Sequence, residues 1–196
     1  MPRKAVKELQ LASKRFTSGD VRGSAEHLQK ALEIYPQFPE AHNTLGMQYV
    51  QLREFEKAVS EFRSASMQNP RMIAALNNET AVLFLLARYP EAEARARQAQ
   101  ALDAQHKAAR YLLGRILAAE NRNDAEAMEL LRASRLEFPS ARVTLAALLL
   151  KRGETDEAVT ELRAYLEAPG VGNKEKVACA VAKLTGESGD KGCAAE

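Results

Sequence analysis

Apolar residues recur along this chain at three- and four-residue spacing, in short blocks separated by polar turns, which predicts a succession of amphipathic α-helices. The first block carries Val6, Leu9 and Leu11 to Phe16, and stops at Ser18-Gly19-Asp20, where glycine permits positive φ. The second runs from Val21 to about Tyr35 with Ala25, Leu28, Ala31, Leu32 and Tyr35 on one face, and Gly23 is expected to weaken its first turn. Pro36 and Pro39 bracket the exit, because proline cannot donate a helical hydrogen bond. Such pairs of blocks continue down the chain. Glu54-Phe55-Glu56 opens one helix with acidic residues at its positive end, and Pro90 sits in the first turn of another. After Ala168-Pro169-Gly170 the pattern stops. A last helix, about Asn173 to Leu184, has Val177, Val181 and Leu184 on one face.

Sliding the chain along itself by 34 residues superimposes Ala31, Ala65, Ala99 and Ala133, then Leu11, Leu45 and Leu113, then Leu28, Phe62 and Leu130. The small residues Ala12, Gly46, Thr80 and Gly114 align too, as do Pro36, Pro70 and Ala104. Between His42 and Pro70 the order Leu45, Gly46, Tyr49, Ala58, Phe62, Pro70 matches W-x₂-L-G-x₂-Y…A-x₃-F…P except at the opening aromatic, where His42 stands as a packed histidine. The chain therefore resembles the tetratricopeptide repeat family over roughly residues 5 to 168. The resemblance implies an all-α, right-handed superhelical solenoid of about five helix pairs, spanning about 5–37, 39–72, 73–106, 107–138 and 139–168. A capping helix over 171–185 and a disordered tail over 186–196 complete the expected organisation. Two departures stand out: Glu79-Thr80 replaces Leu-Gly in the third repeat, and Glu126 stands where a small residue belongs, which points to a one-residue slip at Asn121 to Asp124.

Composition narrows the function. Lys plus Arg number 28 against 26 Asp plus Glu, a net charge of +2. That near-balance argues against a nucleic-acid or anionic-membrane surface. The longest apolar run, Leu145 to Leu150, is too short to span a bilayer, so no membrane insertion is expected. The N-terminus lacks the apolar segment of a signal peptide, and the chain as given reads as cytoplasmic, or as periplasmic or secreted if it is part of a longer protein. Cys179 and Cys193 match no zinc or redox signature and are read as free thiols, a late disulfide being the other reading.

No catalytic constellation emerges. His27, His42 and His106 fall on different repeats, and no phosphate loop, GxSxG or HExxH is present, so the expectation is a non-enzyme with no cofactor and no metal. The resemblance instead implies a concave groove lined by the first helix of each repeat and a partner that is a protein or peptide. Its expected groove residues are Asn43, Met47, Val50 and Gln51, then Asn77, Asn78, Ala81 and Phe84, then Tyr111 and Arg115, with Ser13, Phe16, Thr17 and Ala118 beside them. Side-chain amides can donate to and accept from a peptide backbone, Met47 and Phe84 offer apolar contact, and Tyr111 and Arg115 are of the kind enriched in binding hot spots. The family's carboxylate clamp for chaperone tails is incomplete: Asn78 fits one place, but Leu9 and Met47 stand where Lys and Asn belong. The alternative role is a structural spacer or a self-association scaffold, with a homo-oligomer as its consequence.

Overall fold

The computed structural model describes residues 1–186. Among them it shows eleven α-helices and no strand: α1 (Arg3–Thr17), α2 (Val21–Ile34), α3 (Pro39–Gln51), α4 (Phe55–Gln68), α5 (Ile73–Leu85), α6 (Tyr89–Leu102), α7 (Lys107–Ala119), α8 (Asp124–Ser134), α9 (Ser140–Lys151), α10 (Thr155–Glu167) and α11 (Lys174–Thr185). This is the expected all-α helical repeat fold. The helices group into two compact units, divided between Ala104 and Gln105. In the first, α1 packs on α2, α3 on α4 and α5 on α6, with α2 on α3 and α4 on α5 joining the pairs. In the second, α7 packs on α8 and α9 on α10, α8 meets α9, and α11 lies against α10.

One turn is used five times. Gly19, Arg53, Ala87, Asn121 and Gly153 all take positive φ just after the first helix of a pair. The next amide then bonds back five residues: Asp20 to Arg15, Glu54 to Tyr49, Arg88 to Leu83, Arg122 to Leu117 and Glu154 to Leu149, at 2.8–3.0 Å. This is the Schellman closure, which satisfies carbonyls that the helix end would leave open. In four pairs the residue that closes the turn is also the N-cap of the second helix. In the fourth pair Asn123, a left-handed residue with φ 48°, follows Arg122 and caps α8 instead.

That inserted residue shifts α8 by one. Ala127, not Glu126, is fully buried, which agrees with the slip. The same shift corrects the 34-residue alignment in α8. Ala31, Ala65 and Ala99 are buried, but Ala133 is exposed and Ser134 fills its place. Leu131 rather than Leu130 is then the counterpart of Phe62. Phe62 Cε1 lies 2.6 Å from where a Cβ would stand on Gly46, and Leu131 Cγ 2.9 Å from that point on Gly114.

Three further sequence features find physical reasons. Gly23 does not simply weaken α2: a Cβ there would stand 2.2 Å from Asp20 Oδ2, so glycine makes room for the capping carboxylate, which accepts from the Gly23 amide at 2.8 Å. Glu79 is fully buried, its Oε1 taking hydrogen bonds from Arg63 Nε (3.1 Å, on α4) and Arg95 Nε (3.2 Å, on α6). Glu161 is held likewise by Arg135 and Arg142. Cys179 is disulfide-bonded, not the free thiol expected. Cys193 and the tail expected over 186–196 lie outside the described residues, apart from Gly186.

Candidate functional site

The first helix of each pair shows one face that the second helix does not cover. In α1 this face includes Leu9, Ser13 and Phe16, spaced by four and three residues, with Ala12 buried beside them. In α3 it includes Thr44, Met47, Gln48 and Gln51, and the two sets enclose a cavity of about 340 Å³ together with Ser24, Leu28 and Phe38. Farther along the same face, Met47, Val50 and Gln51 of α3 meet Asn78, Ala81, Val82 and Leu85 of α5 around a second cavity of about 290 Å³, with Phe62 at its base. Met47 and Gln51 line both cavities. Met47 is 41% exposed although it is apolar.

Of the expected groove residues in this unit, the structure brings together Met47, Val50, Gln51, Asn78 and Ala81. Ser13 and Phe16 join at the first cavity. Asn43 and Asn77 are placed differently: they are only 8% and 9% exposed, and Asn43 Oδ1 accepts a hydrogen bond from Asn78 Nδ2 at 3.0 Å. The Asn43–Asn78 bond ties α3 to α5, and Asn43 and Asn77 themselves leave little surface for a ligand. Phe84 turns toward the start of α6, its ring 5.5 Å from that of Tyr89. The Thr17 hydroxyl bonds back to the Lys14 carbonyl.

In the second unit Tyr111 and Arg115 line a cavity of about 300 Å³ with Ser140, Val143, Thr144, Tyr165, Asn173 and Val177. The Tyr111 ring stacks on Phe138, centroids 4.7 Å apart and planes at 3°. Arg115 Nη1 donates to Tyr111 Oη at 3.3 Å, and the guanidinium carbon is 5.4 Å from the ring centre. Ala118 lies elsewhere on α7.

Sequence reasoning missed Leu9 and Gln48 in the first unit and all of α9 and α11 in the second. A signal existed for α9: superimposing Leu113-Gly114 on Leu145-Ala146 maps Tyr111 onto Val143 and Leu112 onto Thr144, both of which line the cavity. For α11, which follows the repeats, there was none. Among the described residues no group of three His, Cys, Asp or Glu side chains could hold a metal ion. No helix there is long and apolar enough to cross a membrane.

Stacked helix pairs, closed by one repeated turn and leaving the first helices open, define an all-α repeat scaffold whose class is the protein–protein interaction module. Models of the tetratricopeptide repeat match residues 27–60 and 83–142. The chain belongs to the tetratricopeptide repeat family. Comparison with curated protein sequences gives no match. Among solved structures, pilF of Pseudomonas aeruginosa is similar at 25% identity over 93% of this chain and 85% of that one, with a TM-score of 0.76. PilW, a widely conserved type IV pilus biogenesis factor, is 23% identical over 96% of this chain and 89% of its own, with a TM-score of 0.78. A MamA protein is 21% identical over 97% and 99%, at a TM-score of 0.76. These last two likenesses concern the fold.

Proposed function

We propose that the open face of α1, α3 and α5 is a groove for an extended segment of a protein partner, and that the chain works without catalysis. One observation carries this reading: the two cavities meet at Met47 and Gln51, so one apolar side chain of the ligand sits on either side of Met47. The Gln51 and Asn78 amides then face the ligand backbone, where each both donates and accepts. Methionine suits the central place because its unbranched, polarisable side chain adapts to what it touches.

The test is site-specific photo-crosslinking in extracts, with the reactive side chain at position 47 or, on the other helix layer, at Met67 of α4, which is 75% exposed. The groove predicts an adduct of one defined protein from position 47 and none from position 67. It also predicts that Met47→Glu weakens capture of that protein by about ten- to a hundredfold, as expected when one buried apolar side chain is lost from a contact. A protein captured only from position 67 would overturn the groove. A second reading, self-association, draws on that same exposed Met67, and an adduct with twice the mass of the chain would favour it.

A further inference from the structure

We infer that the outward face of α1 docks on an anionic lipid surface, held there by charge and without crossing it. The inference goes beyond the groove reading and shares no residue with the cavities that carry it. Arg3, Lys7, Gln10 and Lys14 follow one another at spacings of four, three and four, so they form one straight stripe along the helix. All four are exposed, and Lys4, three residues before Lys7, widens the stripe. The buried residues of α1, Ala5 and Ala12, lie on the opposite side. Within its unit α1 packs on α2 alone, so no other helix there covers the stripe.

The near-balance of charge over the whole chain conceals this clustering. Helix α1 carries five cations and one acid, so the rest of the chain is slightly acidic. The acid, Glu8, turns inward and lies 2.7 Å from His27 Nδ1. Of the cations only Arg15 is engaged, by Asp20 at 3.3 Å. Arg3, Lys4, Lys7 and Lys14 enter no ion pair among the described residues. Elsewhere in this unit pairing is the rule: Arg22, Lys57, Arg63, Arg88, Arg95 and Arg97 each meet a carboxylate within 3.4 Å. The cations left over, Lys30, Arg53 and Arg71, stand apart, on α2 and in two connections. Four unpaired cations on one face repel one another, and an anionic surface relieves that repulsion. No aromatic ring lies on the stripe, which removes the stacking that single-stranded nucleic acids use. Its lysines, flexible point charges, keep no fixed geometry for one particular carboxylate. A layer of anionic headgroups asks for no such geometry and attracts a basic cluster as a whole. Val6, apolar yet 37% exposed, neighbours both Arg3 and Gln10 and offers a contact at the interface.

The experiment is sedimentation of the full chain with vesicles of phosphatidylcholine alone or mixed with phosphatidylglycerol. Binding is expected to the mixed vesicles only, and it weakens as salt rises and screens the contact. Replacing Arg3, Lys7 and Lys14 together by Gln is expected to weaken binding about a hundredfold, and Lys14→Gln alone about fivefold. Lys7→Arg with Lys14→Arg keeps the charge and is expected to bind as wild type does. Arg71→Gln, which removes an unpaired cation on another element, changes nothing. Should the triple variant fail to fold, Lys14→Gln decides. Duplex DNA and poly-glutamate, added as competitors at the same anionic charge, are expected to leave the chain on the vesicles. Equal sedimentation with both kinds of vesicle, none with either, unchanged affinity in the glutamine variants, or release by either competitor would overturn the assignment. None of these outcomes bears on cross-linking from position 47.

Discussion

Both ring nitrogens of His42 face acceptors: Nδ1 lies 2.6 Å from Glu61 Oε2 and Nε2 lies 3.0 Å from the Pro36 carbonyl. A neutral imidazole has one N–H, so only the imidazolium can donate to both. The hydrogen bond to Glu61, aided by the Pro36 carbonyl and the carboxylate charge, holds the His42 pKa above its usual value against the opposing effect of burial. A pKa raised in the folded state stabilises fully below the unfolded value, and that contribution is lost as pH rises through the folded value. His42→Phe restores the family's aromatic but loses both bonds. The unfolding free energy of wild type relative to this variant is therefore expected to fall as pH rises above the usual histidine value of about 6.5. Urea unfolding at pH values on both sides of it measures the change, and a pH-independent difference would rule out the charged histidine. The Pro36 carbonyl also accepts from Gln68 Nε2, so the same pair anchors the connection that carries Phe38 into the first cavity.

At the scale of helices the third repeat shows why its sequence departs from the family. Glu79 takes the place of a core leucine and is neutralised by two arginines, each about a third exposed. Its Oε2 has no hydrogen-bond partner. Breaking such a pair from one side leaves a buried charge, whereas replacing the buried acid with a leucine leaves two arginines that reach water. Arg63→Ala is thus expected to destabilise by about 3 kcal/mol. Glu79→Leu should be neutral or stabilising by about 1 kcal/mol or more, and calorimetric melting separates the two directions. Thr80 follows a second rule. The residue sixteen farther along is Leu28 for Ala12, Phe62 for Gly46, Ala96 for Thr80 and Leu162 for Ala146, all buried, so a larger residue on the first helix goes with a smaller one on the second. Much of this was readable beforehand: the period fixed the helix pairs, and Glu126 betrayed the slip. The partners of Glu79 were not, because Arg63 and Arg95 lie sixteen residues before and after it, beyond any pattern along one helix. Asn43 was misjudged for a related reason: helical spacing places it near the open face, but only three-dimensional packing reveals that Asn78 covers it.

At the scale of the whole molecule, the helix pairs within each unit rest on their sequence neighbours, so a local change should spread by proximity rather than everywhere at once. Gly46 offers the cleanest trial. The point where its Cβ would stand has three atoms of the Phe62 ring within 2.6–2.9 Å, closer than any side-chain carbon is tolerated. Gly46→Ala must therefore push the ring aside, at a cost of about 1–3 kcal/mol for overpacking. The fifth repeat already contains the remedy, since Ala146 there is matched with Leu162. Gly46→Ala combined with Phe62→Leu should recover most of the loss, giving a favourable coupling of about 1 kcal/mol or more in a double-mutant cycle. Amide hydrogen exchange then reads the spread. In Gly46→Ala, protection is expected to drop most in α3 and α4, less in α2 and α5, and least in α9 and α10. A uniform loss of protection from α1 to α11 would mean instead that the chain opens as one cooperative block, and that its repeats do not hold their structure pair by pair.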